Sequence, residues 1–272
     1  MTKIDTGRSK AGWSSYGSFR KCPRKWAYEN VYGLGSRGGG ARGLGTLVHE
    51  LLARHYLVKG GDTSQPSIES ILGTVGNGMK ADAVDLARSR ILSYALQYSA
   101  EDWMPVAVEK EHRIGFLPQA DGSVLRVDAD TPGSILYTAR IDLVVKDGEG
   151  RVWCVDHKTA AQIRESTHQR YGLHGQFHGL WHIGQHHYGE AFSGTLINFV
   201  QTWAGERFLR VRPPAAPSMI ANFPKLIHAT ASEMELWKKH AKTADDWPTT
   251  SHETVCVSSY GVCDHALRCR FG

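Results

Sequence analysis

No window of the chain approaches the roughly 18 consecutive apolar residues of a helical membrane span, so such a span is excluded. The opening, MTKIDTGRSKAGWSS, has no apolar stretch of the kind that marks a secretory signal. The expectation is therefore an intracellular, cytoplasmic protein with no membrane partner. Five cysteines cannot pair completely, which argues against a disulfide framework. No Walker A loop is present, so the chain carries no nucleotide-driven motor of that type. Internal repeats and long low-complexity tracts are absent as well, which excludes solenoids.

What is present is ordinary for a globular protein. The 272 residues are 41% hydrophobic and 22% charged, with a net charge of +5. A mildly basic chain suits a polyanionic partner without demanding one. Helical spacing of Leu44, Leu47, Val48, Leu51, Leu52 and His55 predicts an amphipathic helix over 43–57, after a glycine-rich loop at 33–43. A further helical region is expected within 66–103. Alternating β-rich segments follow at 106–116, 123–129, 135–147 and 151–159, the last two joined as a hairpin by DGEG. A helix at about 170–189, strands at 194–203 and 206–213, and a helix at 215–242 complete an α/β (α+β) plan.

Within that plan Asp142 lies in an apolar strand, Ile141-Asp142-Leu143-Val144-Val145, and Asp156 ends Val152-Trp153-Cys154-Val155. A carboxylate there is costly unless paired. Period two puts Lys158 on the face of Asp156, and the hairpin can bring Asp142 beside them. Two acids and a lysine suit a Mg²⁺ or Mn²⁺ site for phosphodiester hydrolysis. Carboxylate oxygens hold the hard cation, the metal activates water, and the ammonium steadies developing charge. The competing reading is a structural salt bridge at two strand ends.

Taken in order, four motifs resemble the RecB-like, AddB-like branch of the PD-(D/E)XK nuclease superfamily. They are Gly45-Thr46-Leu47-Val48-His49, Ala139-Arg140-Ile141-Asp142, Asp156-His157-Lys158-Thr159 and the helix opened by Gln176. The start, Ser15-Tyr16-Gly17-Ser18-Phe19-Arg20-Lys21-Cys22-Pro23, is similar too. The likeness runs from about 14 to 269, with two departures. Ala139 replaces a frequent Gly, and Leu180 stands where the Tyr of Gln-x-x-x-Tyr is expected, with Trp181 or Tyr188 as candidate substitutes.

The resemblance implies a restriction-endonuclease-like core with a mixed central sheet flanked by helices, all within one nuclease domain over 1–272. Its parts are a helical N-terminal lobe (14–103), a catalytic sheet core (104–213) and a C-terminal helix with a cysteine-rich tail (214–272). It adds His49 as a metal ligand, Glu109 (or Glu111 on the same face) as an acidic neighbour, and Gln176 as a contact to the lysine or the substrate. The implied activity is a DNA exonuclease acting on single strands or ends, in a bacterial or phage-infected cell. A helicase or a recombination, repair or CRISPR-adaptation protein would be its partner. A non-catalytic DNA-binding or assembly module on the same fold is the alternative.

Cys256, Cys263 and Cys269 crowd a tail with little core of its own, a pattern of soft-metal ligation that needs a fourth thiolate. Cys22 precedes proline, as does the N-terminal cluster ligand of iron–sulfur nucleases in that branch, so the resemblance implies a [4Fe–4S] cluster. Spacing alone leaves Zn²⁺ or free thiols open. Cys154 reads as a core residue. His174, His178, His182 and His186 recur every fourth residue and read as a polar helix face rather than a second metal site. Arg20, Lys21, Arg24, Lys25, Arg37 and Arg42 are candidates to track a DNA backbone. Tyr16, Trp13 and Trp26 are candidate stacking surfaces, with core packing the expected fate of Trp26.

Overall fold

A computed structural model of the chain describes residues 11–34, 43–164, 169–203, 205, 207–214, 216–250, 253–258 and 261–271. The elements follow the hydrophobic periodicity closely. Helices α1 (Trp13–Lys21) and α2 (Pro23–Asn30) meet at Cys22, whose extended backbone lets Pro23 open the second helix, where its missing N–H costs nothing. Next come α3 (Leu44–Lys59), α4 (Ile68–Val75) and α5 (Ala81–Gln97). Ser67 caps α4 by accepting from the Ser70 N–H.

Strands β1 (Met104–Pro118), β2 (Val124–Val127), β3 (Ile135–Lys146) and β4 (Val152–Ala160) follow. Helix α6 (Gly175–Tyr188) leads to β5 (Phe192–Gln201) and β6 (Phe208–Val211). Helix α7 (Pro217–His240) precedes the tail. There α8 (Glu253–Cys256), a small hairpin of β7 (Val257–Ser258) and β8 (Gly261–Val262), and α9 (Ala266–Phe271) close the chain. Among the described residues no helix is long and apolar enough to cross a membrane.

The large sheet has the order β2-β1-β3-β4-β5-β6. It is mixed: β3 and β4 are antiparallel across the DGEG turn, whereas β4 and β5 are parallel. Parallel neighbours need a crossover, and α6 supplies it. That crossover makes β4 a central strand, which is why Val152–Asp156 is buried on both faces.

The chain divides into two compact units, one built from 41–112 and 139–221 and the other from 9–40, 113–138 and 222–272, each range taken over its described residues. The first has a core of Leu47, Val48, Leu51, Leu52 and Tyr56 of α3 packed with Leu143, Val145, Trp153 and Val155. Each buried Leu or Val contributes about 1.5–3 kcal/mol. The second centres on Phe19, Trp26 and Trp247, with Tyr16, Tyr137 and Phe223 as a further aromatic group. Tyr16 is buried, its hydroxyl donating to the Leu136 carbonyl at 2.9 Å. The expected stacking surface at Tyr16 is therefore corrected to a core position, and Trp26 is core as expected.

Candidate functional site

The β3–β4 ladder begins at Leu143↔Val155 and runs to Lys146↔Val152. Continuing that register by one step places Asp142 opposite Asp156, at the mouth of the hairpin. Beyond it β4 stays paired with β5 as far as Ala160↔Gln201. Asp142 Oδ2 accepts the His157 N–H at 2.7 Å, so the carboxylate takes over a donor that a strand would otherwise satisfy.

Helix α3 brings His49 to the same carboxylate. Its buried stripe of Leu47, Val48, Leu51 and Leu52 turns against the core, which leaves His49 on the flank. His49 Nδ1 lies 3.6 Å from Asp142 Oδ2. Gly45, one turn earlier, sits where a Cβ would come within 3.0 Å of Thr159 Oγ1, so the start of α3 approaches β4 closely.

Glu109 comes from β1 by a different device. Its φ is +48°, the left-handed region, and it is the one non-glycine residue there among the described residues. Residues 107–109 are all half-buried, so the strand's alternation breaks at this point. Such a kink in a strand re-aims a side chain, here at a cost of about 1–2 kcal/mol. It brings Glu109 into one group with His49 and Asp142 and leaves Glu111 exposed. His49, Glu109 and Asp142 each offer a ligand atom, all within 4.8 Å of one another. That donor set, one imidazole and two carboxylates, fits a divalent cation.

The electrostatics are those of a site short of positive charge. Burial raises Glu109 to about 8, and Asp142 and Glu50 push the same way. Asp142 is raised by burial and by Asp156. Burial would lower Lys158, but Asp156 and Asp142 hold it above its ordinary value, so it stays an ammonium. Lys158 Nζ is 2.5 Å from Asp156 Oδ2. Gln176, in the first turn of α6, donates from Nε2 to Asp156 Oδ1 at 2.5 Å, and its Oε1 accepts from Lys158 at 3.5 Å. Gln176 thus holds both members of the pair despite the missing tyrosine. Neither proposed aromatic substitute is used here: Trp181 packs on Phe192, and the Tyr188 hydroxyl bonds His112 Nε2 at 2.9 Å. Leu180 is buried.

Sequence reasoning missed a buried network on the opposite face of β4. Asn198 Nδ2 donates to His157 Nδ1 at 2.8 Å, and Tyr56 stacks on the His157 ring, 6.0 Å between centroids. Burial holds His157 well below its ordinary value, hence neutral. Arg210 donates to the Tyr56 and Tyr94 hydroxyls at 2.8 Å and pairs with Glu101 at 2.5 Å, its guanidinium lying over Tyr98 and Trp103. The signal was available: Asn198 and Arg210 interrupt apolar strands just as Asp142 does.

The polar helix face expected of the histidine ladder is corrected at two of its members, His178 and His182, which are buried. His178 bonds the Gly172 carbonyl at 2.9 Å and His182 the Ile220 carbonyl at 2.8 Å. No metal-ligating group forms on α6 among the described residues.

The cysteines of the tail gather in the second unit. The Cys263 N–H donates to the Cys256 carbonyl at 2.7 Å. Burial raises the Cys269 thiol, and Cys22 and Cys263 are near enough to raise it further. Cys22 is buried and Cys256 exposed, and Cys154 is a core residue as expected. Arg24 is tied to the Asp245 and Trp247 carbonyls, Lys25 faces Glu29 at 3.9 Å, and Arg20 donates to Thr230 at 3.4 Å. Lys21 is exposed. Arg37 and Arg42 lie outside the described residues.

The model of the PD-(D/E)XK nuclease superfamily matches residues 13–270, nearly the whole chain. The chain belongs to the PD-(D/E)XK nuclease superfamily. No curated protein matches it. Among solved structures, a candidate exonuclease from Eubacterium rectale is similar at 10% identity and a TM-score of 0.51, over 99% of this chain and 90% of that one. At that identity the likeness is one of fold. A second, the protein SSO0001, reaches only 0.32 at 9% identity, over 77% of this chain and 84% of that one, and carries no argument. For a PD-(D/E)XK nuclease the mixed sheet, the acids at the hairpin mouth and the adjoining lysine are consistent parts of one fold.

Proposed function

We propose that the protein is a Mg²⁺- or Mn²⁺-dependent deoxyribonuclease of the RecB-like branch, an exonuclease working on single-stranded DNA or DNA ends. The observation that carries this reading is the convergence of His49, Glu109 and Asp142 within 4.8 Å, beside the Lys158–Asp156 pair. His49, Glu109, Asp142 and Asp156 would hold the cation, which supplies water activation and charge neutralisation at the phosphate. Lys158, kept charged by two carboxylates, orients the attacking water and offers a proton-bearing ammonium to the developing oxyanion. Gln176 fixes the angle between Asp156 and Lys158. The exonuclease mode is supported by the description of the Eubacterium rectale relative and by the order of the four motifs.

Cys22, Cys256, Cys263 and Cys269 would hold a [4Fe–4S] cluster that joins α1–α2 to the tail. The support is that all four lie in one unit, that Cys22 and Cys263 act on the Cys269 thiol, and that the Cys263 backbone bonds that of Cys256. Anaerobically purified protein should be brown with four irons per chain; a colourless protein with stoichiometric zinc would replace the cluster by a Cys₄ zinc site.

Cleavage of end-labelled single- and double-stranded DNA with Mg²⁺ or Mn²⁺, by wild type and Lys158→Ala, tests the activity. Loss of cleavage in the variant supports the reading. Equal cleavage by both would remove Lys158 from the chemistry, and none by folded wild type would leave a binding module.

A further inference from the structure

Beyond the centre itself, the described residues that follow β4 and β5 form a hydrogen-bonded ledge. The two connections that leave these parallel strands are stitched together by backbone bonds. Thr202 N–H donates to the Ala160 carbonyl at 2.8 Å and Trp203 N–H to the Ala161 carbonyl at 3.1 Å. Gln201 Oε1 accepts the Ile163 N–H at 2.9 Å, and Arg207 donates to the Ile163 carbonyl at 3.2 Å. Arg90 of α5 braces the ledge from below, donating to the Gln201 carbonyl at 2.8 Å and the Gly205 carbonyl at 3.0 Å.

On this ledge stands Trp203. The chain has eight tryptophans, all among the described residues, and Trp203 alone is exposed, at 74%. An indole held by a fixed backbone and left bare in water is a standing loss of apolar burial. The arginines of these segments are engaged elsewhere, Arg90 and Arg207 on backbone carbonyls of the ledge and Arg164 on the Gln162 amide oxygen at 2.8 Å. Ala161, the backbone partner of Trp203, is three residues past Lys158, about 10 Å along the strand. That reach spans one to two nucleotides of an extended single strand.

We propose that Trp203 is a stacking platform for an unpaired DNA base, on the DNA strand whose backbone runs to the Lys158 centre. The inference rests on the nuclease reading and deepens it: the substrate's reacting end is single-stranded, because a base can lie on the indole only when it is free of its partner. Aromatic stacking is sequence-tolerant, so the platform grips any base.

The test uses binding of two oligonucleotides of equal length, oligo(dT) and the same backbone with abasic sites, to the Lys158→Ala protein in Mn²⁺. Trp203→Ala added to that background should weaken oligo(dT) about 10-fold and leave the abasic strand unchanged. Trp203→Phe should restore most of the loss. Equal loss on both strands with Trp203→Ala, or no loss on either, overturns the platform while the nuclease reading stands. Failure of the Lys158→Ala protein to bind either strand removes the nucleic-acid reading, and the platform with it.

Discussion

Glu109 should make the metal-free protein lose stability as pH rises. Its ordinary value is 4.5, and in the folded chain burial raises it to about 8. The folded state therefore holds this proton more tightly than the unfolded state does. The corresponding stability is fully present below 4.5 and is lost as pH climbs toward 8. At ~1.4 kcal/mol per pH unit, the gap sets a ceiling of ~5 kcal/mol. Solvent screening at a half-buried position reduces the working figure to ~2–3 kcal/mol. Glu109→Gln cannot ionise, so its stability relative to wild type should rise by that amount between pH 5 and pH 8.5. Urea unfolding in EDTA across this range measures the difference, in which other titrating groups largely cancel. Saturating Mn²⁺ should reverse the ranking at pH 8.5, since the cation binds the ionised carboxylate and gains nothing from the amide. Parallel pH curves for the two proteins in EDTA would refute both the burial and the electrostatic reasoning.

Arg210→Met should cost up to about 3–5 kcal/mol in chemical denaturation, because Glu101 would be left with Lys59 alone and the Tyr56 and Tyr94 hydroxyls with only each other; a change under about 1 kcal/mol would mean that the network is not cohesive. Gln176→Ala should lower kcat for DNA cleavage with little change in KM, since the residue orients Asp156 and Lys158; an effect confined to KM would make it a substrate contact instead. Gly115→Ala should destabilise by about 1–3 kcal/mol, because its Cβ would lie 2.6 Å from Ser134 Oγ and 2.7 Å from the Asp128 carbonyl, as thermal melting would show. Cys269→Ser should reduce bound iron or zinc, with a lower melting temperature, if the thiolates link the tail to α1–α2; unchanged metal content would exclude Cys269 as a ligand.

The sequence by itself carried the elements and the polar residues that betray a site. Periodicity located α3 and the β3–β4 hairpin, because burying one face of a helix or strand demands a regular spacing of apolar residues. Asp142 and Asp156 were visible because a carboxylate in an apolar strand needs a reason to be there. Asn198 and Arg210 sent the same signal, but nothing local says which buried partners such residues will find; Tyr56, Glu101 and His157 lie 41–154 positions away in sequence from one or the other. The choice of Glu109 over Glu111 was equally out of reach. Both lie on one face of an ideal strand, and only the left-handed turn of the backbone at 109, held by the surrounding fold, separates them. The exposure of Trp203 was likewise out of reach of the sequence, where it only closes the segment 194–203. Local chemistry sets what each residue can do; which of them meet, and which are left bare, is decided by packing between segments distant in the chain.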